Sequence, residues 1–208
     1  MGYKLYFRAK IRKMNKKTSK LFKSQKEIVK ILGEGGNETG KTCSREEIHF
    51  KQLWHSVVHI WVVNSRGEVL LQKRAKNKRQ YADVWHVSAA GHIVAQETPE
   101  EAAIKEVREE LGVSIRPEEL IKITDRNVSQ IIPEENVADK ERIHVFLLKR
   151  DLNLNDLSLQ SEELQKVKFY PLDLLRKDIL DPEKSKEYLN HPKDYYLDIL
   201  QKIKATFK

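Results

Sequence analysis

Glu106, Glu109 and Glu110 stand at i, i+3 and i+4 within the stretch Gly91 to Val113, GHIVAQETPEEAAIKEVREELGV. On a helix that spacing puts the three carboxylates on one face, within about 100° of arc. Like charges so placed repel by about 0.2–0.5 kcal/mol per pair, so the cluster works against the helix that carries it. It suits a seat for a hard divalent cation, which takes carboxylate oxygens together with waters and substrate phosphates. The chemistry on offer is a metal-dependent reaction at a polyphosphate. An acidic helix face is otherwise simply a solvated face, and E-x-x-E-E taken alone does not separate the two readings.

The elements around the cluster are well signalled. Thr98 reads as an N-cap, Pro99 as the first helical residue and Glu101 as its capping-box partner. Gly112 stands where a helix needs a left-handed terminator. The spacing therefore predicts a helix over 99–111. Ala103, Val107 and Leu111 form its packing stripe, and Glu101 can pair with Lys105 at i, i+4. Before it, His55 to Val63 is an apolar strand, Asn64-Ser65-Arg66-Gly67 a hairpin turn and Glu68 to Lys73 the return strand. Further strands are expected over 27–32, 85–89, 120–126, 142–149 and 167–170, with a polar linker between 126 and 142. Helices are expected over 172–177 and 195–205, and a short helix or loop over 44–51.

The full pattern resembles the Nudix box, G-x5-E-x7-R-E-U-x-E-E-x-G-U with U a bulky aliphatic. Gly91, Glu97, Glu106, Val107, Glu109, Glu110, Gly112 and Val113 match it, and Lys105 replaces the box arginine. Lysine keeps the charge but loses the planar fork. The resemblance implies an α/β/α sandwich with a mixed sheet and a loop–helix–loop catalytic motif. It implies cleavage of a diphosphate joined to another moiety, with Mg²⁺ or Mn²⁺ as cofactor. Glu109 and Glu110 are then metal ligands together with the backbone carbonyl of Gly91. Glu106 is a further ligand or the base that takes the proton of an attacking water. Glu97 supports the loop–helix–loop through Lys105.

The flanks resemble isopentenyl-diphosphate isomerases and the Nudix hydrolases nearest to them. The matching stretch is HSVVHIWVVNSRGEVLLQKRAKNKRQYADVWHVSAAGH. That likeness implies metal histidines at His55 and His92, with His49 a looser counterpart and Asp139 and Glu141 as acidic ligands. It also implies a diphosphate-contacting basic pair at Arg74 and Lys78. Ala90 departs from it, because those isomerases carry their catalytic cysteine there. An alanine methyl cannot transfer the proton that isomerisation requires. The single cysteine, Cys43, lies outside the motif. The reading is an isomerase-like scaffold with a hydrolase site; an isomerase and an inert Nudix-like binding module are the alternatives. Plainer roles stay open for these residues. His55 and His59 alternate with apolar residues, so either can be a buried, hydrogen-bonded histidine. Arg74 and Lys78 lie in a very basic loop open to ordinary solvation, and Trp85 can be core or stacking platform.

A length of 208 residues allows one domain with extensions. The expected division is a basic N-terminal extension over 1–25 and one domain over 26–208 ending in a helix. The formal charge of +8 is uneven: residues 1–30 hold eleven Lys/Arg against Glu27 alone. That extension could be a plain solvated tail, contact nucleic acid or anionic lipid, act as an organelle-targeting segment, or precede a true start at Met14. No apolar run reaches membrane-spanning length, and the N-terminus has no secretory apolar segment. A lone cysteine rules out a disulfide framework. The expectation is a cytoplasmic enzyme with a small-molecule diphosphate substrate, its oligomeric state open and a homodimer included. Specificity is expected from loops around 125–140 and 178–194.

Overall fold

The structure, a computed structural model, describes residues 27–132, 135 and 137–207. The extension over 1–25 lies outside them. In chain order the elements are β1 (Ile28–Leu32), β2 (Glu38–Ser44), α1 (Arg45–Phe50), β3 (His55–Val63) and β4 (Glu68–Arg74). There follow β5 (Trp85–His86), β6 (Ala89–His92), α2 (Pro99–Leu111), β7 (Leu120–Ile132) and β8 (Val137–Lys149). The chain ends in β9 (Leu164–Pro171), α3 (Leu172–Leu180) and α4 (Lys193–Ala205).

β3 organises the main sheet because most of its residues are apolar on both faces, as a strand covered on both sides requires. It runs parallel to β8 in unbroken register from His55↔Glu141 to Val63↔Lys149. Its other edge is shared: β6 pairs with it antiparallel over Val57 to Ile60, and β4 meets it at Val63↔Val69. β9 and β5 extend the sheet beyond β4, and β7 closes the far side beyond β8. Alternation along β3 assigns the two faces. Val58, Ile60 and Val62 pack with Ala102, Ala103, Val107 and Leu111 of α2. Val57, Trp61 and Val63 pack with Leu175 and Ile179 of α3 and with Tyr195, Ile199 and Ile203 of α4. This is the mixed-sheet α/β/α sandwich. Trp85 lies in the second of these clusters; it is a core residue.

α2 begins and ends at the expected residues. Thr98 Oγ1 accepts from the Glu101 amide at 3.2 Å, and Glu101 Oε2 accepts from the Thr98 amide at 2.8 Å. Gly112 closes the helix at φ +72°.

The expected polar linker over 127–141 is instead a long hairpin. β7 and β8 pair without interruption from Val128↔Glu141 to Ile132↔Val137. Most of 125–140, expected as a specificity loop, is thus strand, and 178–180 belong to α3. The stretch 85–89 is two short strands, β5 and β6, with Ser88 between them. Its hydroxyl donates to the Leu70 carbonyl and accepts from the Val62 amide, which satisfies the break.

A Cβ at position 112 would sit 2.7 Å from Ser158 Cβ on top of a left-handed backbone. We expect Gly112→Ala to cost about 1–3 kcal/mol, read as a lowered urea midpoint with an unchanged m-value.

Candidate functional site: a histidine cavity behind the acidic helix

Strand register decides which side chains meet. Residues paired across strands face the same way, so His55, His59, Ala90, His92, Glu141, Asp139 and Gln130 all project from one face of the sheet. This is the face toward α4. Gly91, one residue out of phase on β6, faces α2. β6 is therefore a partition, with the box glutamates on one side and the histidines on the other.

On the α2 side, a Cβ at Gly91 would collide with the carboxyl group of Glu106. Only glycine leaves room for that carboxylate against the strand. Glu110 is buried; its Oε2 accepts from the Ala90 amide and from Gln72 Nε2, each at 3.1 Å. Burial pushes Glu106 up to about 7, and burial together with Glu106 pushes Glu110 up to about 8. Glu109 is exposed at the rim. Lys105 Nζ donates to both Glu97 oxygens, at 3.1 and 2.9 Å, and lies 3.5 Å from Glu106 Oε1. Glu97 in turn accepts from the Val94 amide at 3.3 Å, tying helix to loop.

On the other side lies a cavity of about 100 Å³, lined by histidines, acids and cations. His49 Nε2 lies 3.0 Å from His92 Nε2, and His49 Nδ1 lies 3.2 Å from Asp139 Oδ1. The rings of His55 and His92 stack at 5.1 Å. Ligand-type atoms of His49, His55 and His92 lie within 4.8 Å of one another, as do those of His55, Asp139 and Glu141. His55 Nε2 is buried with no hydrogen-bond partner among the described residues and sits 4.0 Å from Asp139. An orphaned ring nitrogen amid converging donors fits a bound cation. Burial holds His92 well below the usual histidine range, brings His55 down to about 4, and drives Glu141 well above the usual carboxylate range. Neutral imidazoles are the form that ligates metal.

Arg74 and Lys78 also line this cavity. Arg74 Nε donates to the Tyr81 carbonyl at 2.9 Å and Nη2 to the Gln80 carbonyl at 3.2 Å, which fixes the guanidinium. Lys78 is paired with Glu163.

The structure therefore brings His92, Arg74 and Lys78 to one cavity, with His55 beside it against His49 and His92, and Glu97, Lys105, Glu106 and Glu110 to the other side of β6. Gly91 and Ala90 border both. The three box glutamates do not converge to one point as the histidines do. Sequence reasoning gave no role to His86 or His191, which line the same cavity. The missed signal is the distribution of histidines: the chain has seven, and all but His144 surround this space.

The NUDIX domain model matches residues 53–191. The chain belongs to the Nudix family. It is 35% identical over 139 residues to an uncharacterised Nudix hydrolase of Listeria monocytogenes, covering 67% of this chain and 76% of that one. It is 32% identical over 136 residues to an isopentenyl-diphosphate Delta-isomerase of Photorhabdus laumondii, covering 64% of this chain and 74% of that one. Among solved structures, DR0079 of Deinococcus radiodurans superposes with a TM-score of 0.59 at 19% identity, over 88% of this chain and all of that one. The Nudix fold is thus present, and both hydrolases and isomerases are relatives. Enzymes of this family generally use divalent metal ions.

The buried carboxylates predict a pH dependence for the metal-free protein. Glu106 and Glu110 keep their protons when folded up to about pH 7 and 8, but ionise near 4.5 when unfolded. Their contribution is full below about 4.5 and lost as pH rises through 7 to 8. His55 acts oppositely between about 4 and 6.5, where the unfolded chain binds its proton first. Above 6.5 the carboxylates dominate. We expect the thermal midpoint of chelator-treated protein to fall from pH 6.5 to 8, and Glu110→Gln to flatten that fall. An equal slope in both proteins would show that Glu110 is already ionised.

Proposed function

We propose that this protein is a metal-dependent pyrophosphohydrolase, cleaving the diphosphate linkage of a nucleoside diphosphate joined to another moiety. The observation that carries the reading is Glu110 buried and Glu106 half-buried against β6, with Lys105 the one cation paired with Glu106 among the described residues, at 3.5 Å. Carboxylates held this way need a cation, and they lie on the helix whose pattern marks the family.

In this reading Glu109 and Glu110, with Glu106 and the Gly91 carbonyl, hold Mg²⁺ or Mn²⁺. When bound, such a metal neutralises phosphoryl oxygens and lowers the pKa of water. The rest falls to the chain's own groups. Glu110 is locked by Gln72 and the Ala90 amide, so it serves as a fixed ligand and not as a mobile base. Glu106, where it does not itself ligate the metal, is the carboxylate that takes the proton of the attacking water. Glu97 and Lys105 hold the loop that presents it. Arg74 offers a rigid positive wall to the diphosphate, and Lys78 must exchange Glu163 for phosphate.

Isomerase is the second reading, favoured by the meeting of His49, His55, His92, Asp139 and Glu141. Ala90 weighs against it, because it puts a methyl at the strand position that would have to carry the acid.

The test is a screen of nucleoside diphosphate sugars, dinucleoside polyphosphates, nucleoside di- and triphosphates and prenyl diphosphates with Mg²⁺ and Mn²⁺. We expect hydrolysis of at least one, reduced about 100-fold or more in kcat by Glu109→Gln and by Glu110→Gln. Full activity in both variants would refute the site. We expect no interconversion of isopentenyl and dimethylallyl diphosphate; its detection would establish the isomerase instead.

A further inference from the structure

His59, His86 and His191 come from β3, β5 and the segment just before α4, and all three are at most 6% exposed. They share no residue with the His49/His55/His92 group. One ligand atom from each lies within 4.8 Å of the others. The His59 and His86 rings meet edge to face at 4.9 Å, and His59 and His191 lie 5.1 Å apart. His86 Nε2 and His191 Nε2 approach to 3.4 Å.

The outer nitrogens explain why the inner ones point together. His59 Nδ1 is 2.6 Å from the Tyr195 hydroxyl, and His191 Nδ1 is 3.1 Å from Gln130 Oε1. Each contact occupies one ring nitrogen and leaves Nε2 for the centre. This is the arrangement that orients metal-binding histidines, whose second nitrogen donates to a neighbouring acceptor. Gln130 Oε1 can only accept, so His191 carries its proton on Nδ1 and bares Nε2.

A purely hydrogen-bonded trio accounts for this less well. One contact, His86 to His191, would run at the long limit of such bonds, and His86 Nδ1 is buried without a partner among the described residues. Three buried imidazoles are costly unless their inward ring nitrogens find a partner. Burial keeps all three neutral: His191 is brought down to about 3, and His59 and His86 lie well below the usual range.

We propose that His59, His86 and His191 form a tris-imidazole site for a divalent transition metal of the zinc class, separate from the Mg²⁺ or Mn²⁺ of the acidic helix. Neutral imidazoles without a carboxylate select zinc, cobalt or nickel over magnesium. Three protein ligands leave a fourth position open, as in catalytic zinc sites. That position faces the cavity shared with Arg74, where water or a phosphoryl oxygen completes the shell. An adjoining cavity of about 320 Å³ is also lined by His191, Tyr81 and Leu189, and it gives the ion a way in.

The full chain, stripped with a chelator, is loaded with Zn²⁺ and its metal counted by mass spectrometry after gel filtration. A parallel Co²⁺ titration is followed by visible absorption. We expect His86→Gln and His191→Gln each to lose one zinc equivalent that His49→Gln retains. His86→Cys should keep that zinc and add a thiolate charge-transfer band to the cobalt spectrum, which tests the site even where a glutamine variant fails to fold. Zinc content and cobalt spectra unchanged in folded His86→Gln and His191→Gln overturn the proposal. So does a stripped protein whose bound zinc is lost entirely in His49→Gln. Both readouts are independent of hydrolysis, so failure of the hydrolase reading leaves this result standing, and the converse also holds.

Discussion

The arrangement rests on one four-residue strand. β6 lies antiparallel along β3, and its alternation sends Ala89 and Gly91 toward α2 while Ala90 and His92 face α4. Two chemically different environments thereby share a wall one backbone thick. Glycine at position 91 lets Glu106 press against that wall, and the Ala90 amide holds Glu110 on it. A shift of one residue in this register would exchange the two faces, placing His92 among the carboxylates and Gly91 among the imidazoles. The apolar partners of β3 on both sides oppose such a slip, since Val57 and Val58 belong to different cores.

Both environments concentrate groups that dislike leaving water, and the scaffold compensates differently on each side. Around the glutamates it supplies donors: Gln72, the Ala90 amide and, through Glu106, Lys105. Around the histidines it supplies acceptors and a hydroxyl, namely Asp139, Gln130 and Tyr195. These partners come from β4, β6, the outer hairpin of β7 and β8, and the inward faces of α2 and α4. Lys105 in place of the box arginine still reaches both oxygens of Glu97. It does so as a point charge and not as a fork, so the geometry of Glu106 depends more on Gly91 than on its cationic neighbour.

Local signals were legible where local physics decides. The capping box and Gly112 marked α2 to the residue, and the unbroken apolar run marked β3. The outer halves of β7 and β8 were not legible, because few of their residues are buried. Exposed Ile131 and the pairing Gln130↔Asp139 show a hairpin held by its ladder and not by an apolar face. The glutamates and Gly91 could be read because a helix and a tight approach impose fixed spacings. The histidine cavity could be read only in part. His55, His59 and His92 sit on neighbouring strands, but His86 and His191 are 105 positions apart and meet only through the docking of α4. No spacing in the chain encodes that encounter.

The last wall of the cavity, Leu189 and His191, is laid immediately before α4. Everything else the cavity needs, from His49 to Glu163, is synthesised earlier. Docking of the final helix brings Tyr195 onto His59 Nδ1 and sets His191 against Gln130. A polypeptide cut short after β9 would lack Leu189, His191 and Tyr195, and with them both the last wall of the cavity and the helical side of its core.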